Sequence, residues 1–88
     1  MYQIRVLESG KADLAKLPKT VAKRIADRIQ WLGKNITTIR AEPLKGDLSG
    51  LHKLRSGDYR IIYEVLHDEQ LVLIHLIGHR KDIYKKRK

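Results

Sequence analysis

The chain has 88 residues, with 19 lysines and arginines against 10 aspartates and glutamates, a formal net charge of +9, and neither cysteine nor phenylalanine. That length supports one modest core, burying roughly 60% of the surface the unfolded chain exposes, and excludes a second domain; the missing cysteines exclude disulfides and thiolate metal sites and suit a reducing compartment. A hydrophobic fraction of 42% sets the chain apart from disordered ones. No apolar run approaches the ~20 residues of a bilayer span, and the segment 1–5 has no signal-peptide core, so a cytoplasmic protein without a membrane partner is expected. The positive excess costs self-repulsion and points to an anionic partner, nucleic acid first.

Residues 2–7 alternate on Tyr2, Ile4 and Val6, which reads as a half-buried strand. Glu8-Ser9-Gly10 breaks it, and Ser9 is a candidate cap for a short helix through Asp13, Leu14 and Leu17 that stops ahead of Pro18. Pro18 suits the first turn of the next helix. Val21, Ile25, Ile29, Leu32 and Ile36 recur at helical spacing and predict a long amphipathic helix over about 18–36. Lys19, Lys23, Arg24, Asp27, Arg28 and Lys34 make its solvated face, and Trp31, off the apolar stripe, seals a helix edge. Residues 37–50 read as a connector of turn chemistry pinned by Leu44 and Leu48.

Three strand-like runs follow, at 51–55, 59–66 and 71–77, separated by Ser56-Gly57-Asp58 and His67-Asp68-Glu69-Gln70, breaks of hairpin length that predict an antiparallel meander. Leu71-Val72-Leu73-Ile74 lacks polar alternation and suits a strand inside the sheet. The expected fold is α+β: a compact β-α-α-β-β-β domain over 1–88, with two helices on one face of a mostly antiparallel sheet and the other face free for a ligand. Tyr59 and Tyr63 share a strand face and are read as core.

Charge concentrates at the C-terminus. Residues 79–88 carry more than half of the net charge through Arg80, Lys81, Lys85, Lys86, Arg87 and Lys88, the last four forming a basic tail. Period-two geometry places Lys53 and Arg55 on one face of their strand and His52 and Leu54 on the other. Arg60, one hairpin later, and Arg80, after the last strand, converge on the Lys53 face to form an anion site. The acids Asp58, Asp68 and Glu69 lie at hairpin turns, too far from the middle of a sheet to neutralise it.

Leu44-Lys45-Gly46-Asp47, the run from Lys53 to Tyr63 (KLRSGDYRIIY) and the run from Ile77 to Tyr84 (IGHRKDIY) resemble the hallmark segments of the RelE family, within the RelE/ParE superfamily of toxin–antitoxin modules. The resemblance spans nearly the whole chain and implies the toxin of a type II module: a ribosome-dependent mRNA endoribonuclease that cleaves in the A site, with no metal or other cofactor. By position, Lys53 matches a lysine of proton transfer, Arg60 an arginine on the scissile phosphate, Arg80 a stabiliser of the transition state, and Tyr84 a tyrosine that orients the nucleotide. Arg55 is a family-typical basic position; with Lys81 and the tail Lys85, Lys86, Arg87 and Lys88 it is expected to bind RNA. The family's second lysine falls on Leu51, which opens the place of the base to His79, beside Arg80, and after it to His52. The implied partners are the ribosome, mRNA and a RelB-like acidic antitoxin through which the complex binds operator DNA. A ParE-like inhibitor of DNA gyrase and a noncatalytic nucleic-acid-binding module are the alternatives.

Overall fold

The computed structural model describes residues 2–85. The periodicities of the sequence become β1 (Gln3–Val6), α1 (Glu8–Ala15), α2 (Lys19–Asn35), β2 (Glu42–Pro43), β3 (His52–Ser56), β4 (Tyr59–Leu66) and β5 (Leu71–His79), with 3-10 turns at Gly46–Leu48 and Ile83–Lys85. The strands form one sheet in the order β1-β5-β4-β3-β2. β1 runs parallel to β5 and every other pairing is antiparallel. The two helices on a mostly antiparallel sheet are the expected α+β arrangement, and β5 does lie inside the sheet.

The first helix starts earlier than its polar residues suggest. Leu7, not Ser9, is the N-cap, and no side chain caps the turn. Long-range hydrogen bonding fixes the start instead: the Leu7 N–H donates to the Ile74 carbonyl at 3.0 Å, and the Lys11 N–H donates to Leu7 at 2.9 Å. Glu8-Ser9-Gly10 is therefore the first turn of α1 rather than a break. Gly10 permits the close approach, because a Cβ there would meet the Ile74 carbonyl oxygen and Val6 Cγ1, each at 3.0 Å. β1 pairs with β5 only as far as Ile74, and α1 packs against β5 beyond it. There the buried Asp13 carboxylate accepts the Ile77 N–H at 2.9 Å and stands in for the missing strand partner.

Pro18 is the N-cap of α2 rather than a residue of its first turn; its carbonyl accepts the Ala22 N–H at 2.8 Å. Ile25, Ile29, Leu32 and Ile36 of the apolar stripe are buried. They join Leu54, Ile61, Tyr63, Val72, Ile74 and Ile77 in the core, with Val21, Tyr59 and Val65 packed at its margin. Trp31 is partly exposed and carries the Arg28 guanidinium 4.1 Å from its ring centroid. The same guanidinium donates from Nε to the Arg55 carbonyl at 3.2 Å, tying α2 to β3.

The connector at 37–50 holds a strand that turn chemistry did not reveal. Glu42 pairs with Lys53 and Pro43 with His52, giving the sheet a short fifth strand at its edge, where a proline's missing donor is tolerated. Gly57 and Asp58 form a two-residue hairpin loop between the paired Ser56 and Tyr59. Gly57 has φ +58° and Asp58 has no positive φ, the pattern of a type II′ turn whose twist matches the strands.

The second face of the sheet is not wholly free, contrary to expectation. Ile62 and Ile83 are completely buried yet lie outside the helix-side core. The final 3-10 turn packs back on β5 and buries Ile83. Among the described residues, no helix is long and apolar enough to cross a membrane.

Candidate functional site

Which residues share the face away from the helices follows from alternation and register. On β4 the core takes Tyr59, Ile61, Tyr63 and Val65, so Arg60, Ile62 and Glu64 point the other way. Directly paired residues share a face. Lys53 is opposite Ile62, Arg55 opposite Arg60, Glu42 opposite Lys53, and Gly78 opposite Arg60. Lys53, Arg55 and Arg60 therefore form one cationic cluster on the outer face, with Gly78 beside Arg60 on β5.

Each cation is held differently. Arg60 Nη1 donates to the carbonyls of Gly57 and Tyr59, both at 2.9 Å. Among the described residues nothing bonds its remaining N–H donors, so the Nε and Nη2 side of the guanidinium can take two oxygens of a phosphate. Arg55 Nη2 lies 3.3 Å from Glu42 Oε1. Among the described residues Lys53 has no ion pair. Arg80 donates its backbone N–H to the Asp58 carbonyl at 2.8 Å, and its Nε is 3.7 Å from Asp58 Oδ1. The acids thus reach the patch more than expected, Glu42 from the unforeseen β2 and Asp58 from the hairpin. Both pairs are more than two-fifths exposed on each side, so water and salt screen them and an incoming polyanion can displace them.

The register of β5 decides where its last residues point. A bulge shifts the pairing so that Ile62 meets Leu76 but Tyr63 meets Ile74, leaving His75 as the extra residue. Val72, Ile74 and Ile77 all reach the helix-side core as a result. Past the bulge, Gly78 shares the face of Arg60 while His79 pairs with Tyr59. The His79 ring stands edge-on to Tyr59 with centroids 5.6 Å apart, and its Nδ1 accepts the Lys81 N–H at 3.1 Å. His79 is therefore turned away from the Lys53 face.

His52 is turned away as well, as its alternation implies. Its ring stacks on Tyr63 at 5.5 Å, and its Nδ1 is buried without a hydrogen-bond partner among the described residues. The Tyr63 hydroxyl is likewise buried and unpartnered; burial, aided by the Glu42 charge, pushes its pKa above the ordinary tyrosine value. Tyr84, Lys81 and Lys85 are exposed, and Tyr84 sits on the 3-10 turn beside the buried Ile83. Lys86, Arg87 and Lys88 lie outside the described residues. Glu42, Glu64 and His75 were missed by sequence reasoning. The alternation Arg60, Ile62, Glu64 could have placed Glu64, whereas the two-residue β2 and the bulge carry no periodic signal.

The arrangement of two helices behind a five-stranded sheet agrees with comparisons to known proteins. Residues 4–84 match the family model described as the ParE toxin of the type II toxin–antitoxin system parDE. Toxin RelE of Mycobacterium tuberculosis is 30% identical over 84 residues, spanning 96% of this chain and 87% of that relative. Toxin RelG of the same organism is 28% identical over 86 residues, spanning 97% and 98%. Among solved structures, the toxin–antitoxin complex RelBE2 from Mycobacterium tuberculosis matches with a TM-score of 0.81 and 26% identity over 90% of this chain and 98% of that one. The isolated E. coli RelE toxin matches with a TM-score of 0.72 and 25% identity over 90% and 84%. The chain is a toxin of the type II toxin–antitoxin class. Within that class it belongs to the RelE/ParE family.

Proposed function

We propose that this toxin is a ribosome-dependent endoribonuclease that cleaves mRNA in the A site and so arrests translation. The observation that carries the reading is the clustering of Lys53, Arg55 and Arg60 on the one sheet face the helices leave uncovered, with Arg80 held at its border by Asp58. Attack of a ribose 2′-OH on the adjacent phosphorus builds negative charge on the phosphoryl oxygens, and preorganised cations stabilise that charge more than they stabilise the ground state. Arg60, braced by two carbonyls, holds the scissile phosphate; Arg80 stabilises the transition state; Lys53 serves in proton transfer. Tyr84 orients the nucleotide, and Arg55, Lys81 and the basic tail attract RNA phosphates. By its resemblance to RelE toxins, the reaction uses no metal.

An acidic RelB-like antitoxin fits the same surface, since a negatively charged segment complements it. Support comes from the solved relatives, which include toxin–antitoxin complexes. In this reading the toxin works in the cytoplasm, and its complex binds operator DNA through the antitoxin.

The test is cleavage of mRNA on programmed ribosomes. Wild-type toxin cuts the message, and Arg80→Ala loses cleavage by far more than it loses ribosome binding. A second reading, a ParE-like inhibitor of DNA gyrase that cleaves nothing, draws support from the name of the matching family model. Intact message together with inhibited supercoiling would favour it.

A further inference from the structure

The helix side of the molecule carries an exposed aromatic ring in basic surroundings that the roles above leave unused. Trp31 and Tyr84 are the large hydrophobic residues left exposed among the described residues, and the proposed reaction already uses Tyr84. Trp31 does not seal the helix edge: 38% of it stays exposed even with the Arg28 guanidinium stacked 4.1 Å from its ring centroid. Arg28 is held from a second side, because its Nε donates to the Arg55 carbonyl at 3.2 Å. Among the described residues nothing bonds its Nη donors, which leaves them for a phosphate.

Helical spacing sets the company of the ring. Residues three, four and seven positions away share its face of α2, and these include Arg24, Asp27, Arg28 and Lys34. The Asp27 carboxylate lies 3.6 Å from Lys23 Nζ, so the acid on this face already has a cation of its own. An aromatic ring among cations suits single-stranded nucleic acid, because the ring stacks on a base while the cations take the neighbouring phosphates. The stack of Arg28 on Trp31 exists before a base arrives, so little side-chain freedom remains to be lost on binding.

The ring is also on the wrong side of the molecule for the message. Ile25, Ile29, Leu32 and Ile36 hold α2 against the inner face of the sheet, whereas Lys53, Arg55 and Arg60 stand on the outer face. An RNA strand on Trp31 while the message occupies those cations is therefore a different RNA. We infer that Trp31, with Arg24, Arg28 and Lys34 around it, stacks on an unpaired base of ribosomal RNA and holds the toxin in the ribosome while the opposite face works on the message. This rests on the ribosome-dependent reading.

Binding to ribosomes that carry no message tests the inference. Trp31→Ala should bind about 10-fold or more weakly, the scale of one base–aromatic stack, and Trp31→Phe should recover most of the loss. Wild-type toxin should shield an unpaired ribosomal RNA base from chemical modification, and Trp31→Ala should leave that base open. With message present, cleavage by Trp31→Ala should fall at low toxin concentration and recover as the concentration rises, a defect in KM rather than kcat. If Trp31→Ala proves unstable, Trp31→Leu makes the same comparison, since it keeps apolar bulk without an aromatic face. Unchanged affinity overturns the inference. So does a loss of affinity without a change in base protection, which would put a ribosomal protein on the ring, and so does a loss confined to message-loaded ribosomes, which would put the message there. In each of these cases cleavage by the wild type keeps the endoribonuclease reading. A wild type that binds ribosomes through Trp31 yet cuts no message overturns that reading and leaves the inference standing.

Discussion

Arg55 and Arg60 stand directly opposite each other on adjacent strands and share one face of the sheet. Like charges so placed repel. The fold relieves the pair unequally, sending Arg55 to the Glu42 carboxylate and Arg60 to two hairpin carbonyls. Only Arg55 gains a formal countercharge, so the site is prepared for an anion before one arrives.

Sulfate should therefore stabilise the free protein. At ten times its dissociation constant a ligand adds about 1.4 kcal/mol, and for a chain this size each kcal/mol raises Tm by roughly 4–8 °C. Arg60→Ala should lose most of that shift in thermal melts. An equal sulfate response from the variant would place the anion site elsewhere.

Asp58→Asn should leave stability within about 1 kcal/mol of wild type, because the Asp58 and Arg80 side chains form a screened surface pair. The Asp58 carbonyl still accepts the Arg80 N–H, so the backbone keeps its place. Freed of its carboxylate, Arg80 should bind RNA more tightly, and the gain should shrink as salt rises. Titrations of a short RNA at two ionic strengths measure both effects.

Asp13→Ala should cost about 1–3 kcal/mol in urea unfolding, since it removes a buried carboxylate that accepts the Ile77 N–H. Asp13→Asn keeps an acceptor and should cost less. Equal losses in the two variants would mean that charge, rather than the hydrogen bond, holds α1 to β5.

Tyr63 makes a prediction in alkali. Its pKa is raised in the folded state by burial and by Glu42. Above the unfolded tyrosine value, about 10, the unfolded chain releases this proton while the folded chain keeps it. Stability must fall as pH climbs from there. Tyr63→Phe should flatten that fall, and near neutral pH it should cost little, because the hydroxyl has no partner among the described residues. Denaturant midpoints at pH 7 and at pH 10.5 provide the comparison.

Much of the scaffold was legible in the sequence because it rests on period. The stripe from Val21 to Ile36 and the alternation of Tyr59, Ile61 and Tyr63 locate α2 and the inner face of β4 without any long-range information. Lys53, Arg55 and Arg60 followed from the same alternation. The misreadings have long-range causes: α1 starts where β5 offers Leu7 an acceptor, and β2 exists because β3 offers it a partner. The bulge is subtler. Strict alternation from Ile74 would aim His79 at the Lys53 face and Gly78 at the helices, and one extra residue exchanges them. His79, singled out in the sequence for standing beside Arg80, is by that exchange turned toward Tyr59.

The two-residue β2, ending in Pro43, has a further consequence for how the molecule keeps company with itself. A sheet edge with free N–H and C=O groups recruits neighbouring chains, and proline and brevity both blunt it. The strands that carry Lys53, Arg55 and Arg60 lie on this side of the sheet. A short edge ending in proline disfavours addition of a strand from a second copy beside β2, next to the strand that carries Lys53 and Arg55.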